Sequence, residues 1–184
     1  MHYWNYPHHN HLGLLVVAGL LFLGLAFIIY LILKTPPRAQ RRTEVRFVKL
    51  SPEAMLPQRS HDDDIGYDLR ATEGCTLWPG EHQAIGTGLA VHLPNEVAGF
   101  VVPRSGLAAK HAITIVNSPG LIDPGYRGEI KVVLQNTSKK TFHVSVGDRI
   151  AQFVFISTLP VILLEEADLG ESSRGTGGLG STGK

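Results

Sequence analysis

Four stretches of this chain gather side chains that can do chemistry. Pro103-Arg104-Ser105-Gly106 sets a guanidinium, a hydroxyl and backbone N–H groups on a tight turn, a combination that cradles anions. Gly120-Leu121-Ile122-Asp123-Pro124-Gly125-Tyr126-Arg127-Gly128 puts a carboxylate and an aromatic ring into one turn between apolar runs. Asp62-Asp63-Asp64 and Asp68 form an acidic cluster suited to a divalent cation, and Arg174 opens a glycine-rich tail, Ser173–Lys184. Taken singly, each has an ordinary reading. An Asp in a turn caps its own backbone, and a Gly/Ser tail is a linker. Gly178 to Lys184 formally fits the start of a phosphate-binding G-x-x-x-x-G-K loop, but it has no following Ser/Thr and no helix, so the match is accidental.

The elements that must position these groups are short and numerous. From Thr43 onward, brief apolar runs with period-2 features alternate with turns such as Trp78-Pro79-Gly80, Leu93-Pro94-Asn95, Asp123-Pro124-Gly125 and Val146-Gly147-Asp148. Strands are expected over Glu44–Leu50, Ala84–Leu93, Gly99–Val102, Ile113–Val116, Ile130–Gln135, Phe142–Val146, Arg149–Ile156 and Val161–Glu165. Many short strands at even spacing imply an all-β sandwich, barrel or jelly roll. No four-turn helix is visible beyond the first third of the chain. The single cysteine, Cys75, excludes an intrachain disulfide framework, and with no recognisable His partner it reads as a small half-buried side chain.

The first third differs. Leu12 to Leu33 is 22 residues without a charge, about 33 Å long as a helix, enough for a hydrocarbon core of roughly 30 Å. No Lys or Arg precedes it, whereas Lys34, Arg38, Arg41, Arg42, Arg46 and Lys49 follow, opposed by Glu44 alone. The positive-inside rule then predicts a single-pass membrane protein anchored through Leu12–Leu33, with the C-terminal part on the cytoplasmic side. The histidines at 8, 9 and 11 lack a carboxylate or cysteine to complete a metal site. The net charge of +1 sums unlike parts: the basic excess sits in residues 34–49, and residues 50–184 are mildly acidic. This argues against a nucleic-acid surface, and an anion site there must rely on local groups.

In order and spacing, the motifs resemble those of the trimeric dUTP pyrophosphatase (dUTPase) family over residues 44–184. Five can be read: Ile65-Gly66-Tyr67-Asp68-Leu69-Arg70-Ala71; Pro103-Arg104-Ser105-Gly106-Leu107-Ala108; Val116-Asn117-Ser118-Pro119-Gly120 through Asp123 to Tyr126-Arg127-Gly128-Glu129-Ile130; Gly147-Asp148-Arg149-Ile150-Ala151-Gln152; and Arg174-Gly175-Thr176-Gly177-Gly178-Leu179-Gly180-Ser181-Thr182-Gly183. The resemblance implies a jelly-roll-like β-barrel over 44–170, assembled as a homotrimer, with a lid arm over 171–184. Residues 1–11 would be an extracytoplasmic tail, 12–33 the transmembrane helix and 34–43 a basic linker.

The resemblance also implies roles. Asp123 would be the general base for a water attacking the α-phosphorus of dUTP, a task that suits an ionised carboxylate within hydrogen-bond reach. Tyr126 would pack on the deoxyribose and exclude a 2′-hydroxyl. Asn117, Leu121 and Ile122 would read the uracil, with Lys131 at a further substrate contact. Arg104, Ser105, Gly106 and Gln152 would hold the phosphates. Mg2+ would bridge the triphosphate, its water shell held by Asp68. Arg174, Leu179, Gly180 and Ser181 would close over the nucleotide. Two positions depart from the family pattern: Leu179 stands where an aromatic residue stacks on uracil, and Ile65 replaces a smaller residue, a packing change. The alternatives are a dCTP deaminase-like enzyme of the same fold and a membrane-tethered interaction protein that senses nucleotide. The Asp123/Tyr126 pair of the third motif and the fifth motif with Arg174 favour the pyrophosphatase.

Overall fold

β-branched and aromatic side chains in short alternating runs fold from Thr43 onward into ten strands. The computed structural model describes residues 11–34 and 43–178, and the chain divides into two units between Thr43 and Glu44. In the second unit the strands are β1 (Arg46–Lys49), β2 (Tyr67–Arg70), β3 (Cys75–Leu77), β4 (His82–His92), β5 (Val97–Val102), β6 (Ile113–Ile115), β7 (Gly120–Ile122), β8 (Glu129–Asn136), β9 (Phe142–Val144) and β10 (Arg149–Ser157). One four-stranded sheet runs β1-β4-β8-β6, a second runs β2-β10-β5-β7, and β3 and β9 form a separate pair. Every pairing is antiparallel. The fold is mostly β.

The two large sheets bury one core. Leu69, Ala151 and Phe153 from one sheet and Ile85, Leu89, Ile130 and Val132 from the other are completely buried. Phe153 meets Phe47 and Phe155 edge-on, at centroid distances of 6.3 and 4.9 Å, a favoured aromatic geometry. Its ring fits because position 99 is glycine, where a Cβ would run into Phe153. Asn136, wholly buried, donates to the carbonyls of Leu77 and Lys140 at 2.9 and 2.8 Å and accepts from the Ser138 N–H at 2.9 Å. A satisfied amide of this kind fixes the β3–β9 pair to the end of β8.

Strand β4 does not run straight along β8. Gly86 faces Lys131 while Ala90 faces Glu129, so β4 accommodates two extra residues in a bulge. Gly88 lies in that bulge at φ +62°, a conformation glycine adopts at little cost. A two-turn helix, α2 (Ser105–His111), follows β5 and ends on Ala112 at φ 53°. An alanine there is strained by its Cβ, whereas glycine would be relaxed but more flexible when unfolded. Ala112→Gly is therefore expected to stabilise the domain by about 0.5 kcal/mol; an unchanged or lower midpoint in thermal unfolding would show that the Ala112 methyl packs more usefully than its strain costs.

Two expectations are corrected. In the first unit a helix, α1 (His11–Lys34), forms over the uncharged run. Among the described residues no helix is long and apolar enough to cross a membrane. That finding overturns the single-pass topology and the cytoplasmic-side location. The run Val161–Glu165 is not a strand. A strand needs a paired neighbour, and among the described residues none lies beside it; Ile162 and Leu163 are 86% and 91% exposed.

Candidate active site

The turn carrying Asp123 crosses from one large sheet to the other. β7 is the edge strand of its sheet, held to β5 through Gly120↔Val101 and Ile122↔Gly99, and the chain then enters β8 at Glu129. The link is closed by a Tyr126 N–H bond to the Asp123 carbonyl at 3.0 Å, a β-turn over Asp-Pro-Gly-Tyr that Pro124 and Gly125 favour. Tyr126 then folds back, its hydroxyl donating to the Glu129 carbonyl at 2.8 Å. Gly128 makes room for it: a Cβ there would come within 2.5 Å of the Tyr126 hydroxyl.

These contacts frame a hollow of about 340 Å³ lined by Leu121, Ile122, Asp123, Tyr126, Glu129 and Lys131. Five of these six were expected from sequence; Glu129 was not. Its side chain accepts the Gly88 N–H at 2.8 Å and lies 3.7 Å from the Lys131 ammonium. Asn117 is exposed and its amide nitrogen lies against Gly120, 3.2 Å from where a Cβ would stand. The hollow thus combines an apolar wall, an aromatic ring, a carboxylate and an ammonium, which is what recognition of a nucleoside with a nearby hydrolytic step requires.

A second hollow, about 300 Å³, is lined by Arg70, Arg104, Leu107, Phe142, Val144, Gly147, Asp148, Arg149 and Ile150. It shares no lining residue with the first. Three arginines line it, and two of them meet at Asp68 of β2, which is 7% exposed. Arg104 Nε and Arg149 each donate to one Asp68 oxygen at 3.0 Å. Ser60 adds a longer contact of 3.4 Å. Arg104 also donates to the Arg149 carbonyl at 3.0 Å, and Arg70 to the Gly147 carbonyl at 2.7 Å. Arg70 was missed as a lining residue, and Arg149 was read only as part of its motif.

Ser105 and Gly106 are exposed at the start of α2 beside Arg104. A Cβ on Gly106 would meet nothing within 4 Å, so the space over its backbone is open. Gln152 sits opposite both Asp68 and Val102 in register. Its side chain packs where a Cβ on Gly66 would stand, 3.0 Å from its Cδ. Arg174 donates within its own turn, to the Gly177 carbonyl at 2.9 Å. Leu179, Gly180 and Ser181 lie outside the described residues. Ile65 is 76% exposed, so it is no packing change within this protomer's core.

The Asp68 carboxylate, expected to hold the Mg2+ water shell, is clasped by two arginines. Among the described residues no three His, Cys, Asp or Glu side chains converge on a metal position. Asp64 is turned to local work, accepting the His61 N–H at 2.9 Å. That backbone bond, helped by the His61 ring, holds the Asp64 carboxyl below the usual carboxylate range. Cys75 is half-buried, and burial pushes its thiol up, as expected of an inert side chain.

A mostly-β fold with an arginine cluster around a buried carboxylate, and a separate hollow holding a carboxylate, an aromatic ring and an ammonium, defines a β-protein with two candidate binding surfaces. Comparison with known proteins sharpens that class. Residues 52–183 match the family described as dUTPase. The deoxyuridine 5'-triphosphate nucleotidohydrolase of Thermobifida fusca is 48% identical over 143 residues, covering 77% of this chain and 79% of that protein. That of Crocosphaera subtropica is 44% identical over 140 residues, covering 76% and 99%. Among solved structures, a mutant of the Staphylococcus bacteriophage 80alpha dUTPase with dUpNHpp superposes with a TM-score of 0.72 at 27% identity, covering 78% of this chain and all of that one. A phage phi11 dUTPase of S. aureus, described as coordinating a structural Mg(II) ion, matches at TM-score 0.64 and 26% identity over 68% of this chain and 98% of that one. The chain belongs to the dUTPase family.

Proposed function

We propose that this protein hydrolyses dUTP to dUMP and pyrophosphate. The observation that carries the reading is the hollow that brings Asp123, Tyr126 and Lys131 together beside the apolar Leu121 and Ile122, in a chain of this family. Uracil and deoxyribose would lie against Leu121, Ile122 and Tyr126, with Asn117 at the base edge. Asp123 takes a proton from water as its oxygen bonds to the α-phosphorus; the bond from that phosphorus to the β-side bridging oxygen breaks, and pyrophosphate leaves. Arg104, with Ser105, the open backbone at Gly106, and Gln152, would take the phosphates. Mg2+ would enter on the triphosphate as part of the substrate, since it keeps most of its waters and favours phosphate oxygens.

The active species in this reading is a homotrimer. Two observations support it. The nucleoside hollow and the arginine cluster are separate on one protomer, so a site containing both draws them from different copies. Leu159, Val161, Ile162, Leu163, Leu164 and Leu169 are exposed, and a neighbouring copy would cover that apolar surface. Residues 171–184 would then close as a lid, with Arg174 on the phosphates and Leu179, Gly180 and Ser181 over the base.

Incubating the full chain with dUTP and Mg2+, with dCTP in parallel, tests the activity. Release of dUMP and pyrophosphate from dUTP is expected; ammonia released from dCTP would overturn the reading in favour of a deaminase. The leucine at 179 forgoes ring stacking worth about 1–3 kcal/mol. Leu179→Phe is accordingly expected to lower KM for dUTP, and an unchanged or higher KM would remove base-covering from the role of that position.

A further inference from the structure

Glu129 lines the nucleoside hollow, and the reaction above leaves it without work. It begins β8, and its side chain is 27% exposed. Three separate bonds converge on it. Its backbone carbonyl carries the Tyr126 hydroxyl at 2.8 Å. One carboxylate oxygen accepts the N–H of Gly88, at 2.8 Å. The other lies 3.7 Å from the Lys131 ammonium.

The Gly88 bond explains why an acid stands there. Where β4 bulges, the ladder with β8 slips between Gly86 and Ala90, and a bulge leaves backbone groups without ladder partners. Glu129 supplies the missing acceptor from the opposite strand. Thr87 does the same in the other direction, its hydroxyl donating to the Ile130 carbonyl at 2.7 Å from a fully buried position. Room for the carboxylate comes from Gly86, where a Cβ would stand 2.6 Å from the Glu129 oxygen that receives Gly88. The start of β8, and with it the carbonyl under Tyr126, is thereby pinned to β4.

We propose that Glu129 is a positioning residue for sugar discrimination: by tying the start of β8 to the β4 bulge and facing Lys131, it fixes the Tyr126 ring that excludes a 2′-hydroxyl. This rests on the dUTPase reading, with Tyr126 on the sugar. Glu129 acts through Tyr126 and Lys131 and has no contact with the reacting atoms.

Three variants test it, read as the ratio of kcat/KM for dUTP to that for UTP, alongside the separate kcat and KM for dUTP. Glu129→Ala removes the acceptor and the charge. Glu129→Gln keeps an acceptor for Gly88 and loses the charge facing Lys131. Gly86→Ala leaves Glu129 chemically intact and displaces its carboxylate. The expected result is that Glu129→Ala and Gly86→Ala lower the dUTP/UTP ratio by about 10-fold or more, with Glu129→Gln losing less, and that KM for dUTP rises more than kcat falls. A merely structural role would lower folded yield or the unfolding midpoint and leave the ratio at its wild-type value. Should Glu129→Ala not fold, Gly86→Ala and the isosteric Gln decide, and a wild-type ratio in both overturns the proposal. Wild-type protein that left dUTP intact would sink the dUTPase reading, and this inference with it, a result distinguishable from an active wild type whose variants keep full discrimination.

Discussion

Asp123→Asn is expected to lower kcat for dUTP by about 10²–10⁴-fold, the usual contribution of a positioned general base. The substitution is nearly isosteric, so the hollow keeps its shape, but an amide cannot take the proton that the attacking water must shed. KM should change far less than kcat, because the groups that would bind the base, sugar and phosphates are untouched. Stability should also hold. Asp123 is exposed, and the bond that closes its turn uses its backbone carbonyl, which Asn retains; surface changes of this kind stay within about 0.5 kcal/mol. A steady-state assay beside a thermal melt separates the outcomes. If the Asn variant kept wild-type kcat, the base would lie elsewhere. The other carboxylate lining the hollow, Glu129, is a poor substitute because its oxygens already serve Gly88 and Lys131.

Asp68→Ala should be costly in a different way. The carboxylate is almost wholly buried and is the shared counter-ion of Arg104 and Arg149. Removing it leaves two guanidinium groups near each other with no compensating charge. The side chains of Arg104 and Arg149 retain 22% and 41% exposure, so water can take over part of the lost interaction. The penalty is therefore set below that of a fully buried pair, at about 1–3 kcal/mol. It should appear as a lower unfolding midpoint. Function should suffer as well: an Arg104 no longer oriented by Asp68 loses its aim on the phosphates, raising KM for dUTP. Asp68→Asn, which keeps one acceptor oxygen, should fall between wild type and Ala in both measurements. An Ala variant with the wild-type midpoint and KM would mean that Arg104 holds its position by its bond to the Arg149 carbonyl and Arg149 by its bond to the Ser60 hydroxyl.

Comparing the two sites shows what a linear reading can reach. The hollow around Asp123 was legible because its residues lie within eleven positions of one another, 121 to 131, on a turn and the strand after it. The arginine cluster was legible as motifs but not as a network. Arg104 and Arg149 reach Asp68 across 36 and 81 residues of sequence, and nothing local says that a carboxylate quoted for a metal will be clasped by two cations. Glu129 was quoted within a motif, yet its work depends on a bulge in β4, more than forty positions upstream.

The strands show the same division. Long alternating runs such as β4, β8 and β10 were located to within a few residues. The three-residue β3 and β7 and the four-residue β2 were missed, because so short a strand is defined by its partner more than by its own period. Val161–Glu165 failed the other way, with a strand-like composition and no partner within the described protomer. The uncharged N-terminal run did become the helix α1. Its reading as a membrane span did not survive, as no described helix meets the length and apolarity required.

The bulge in β4 also bears on how this chain can vary. Gly86 and Gly88 stand on a strand that contributes nothing to the lining of the nucleoside hollow, yet a methyl at Gly86 would press on Glu129, and one at Gly88 would meet Ser51, Ala54 and Thr72 at 2.7 to 2.9 Å in addition to its φ of +62°. A change at either glycine needs a matching change elsewhere to be tolerated. If Tyr126 holds the sugar as proposed, part of the specification for its space is written as the absence of side chains on a strand outside the lining of the hollow, and a search for specificity variants confined to the walls of the hollow would pass over it.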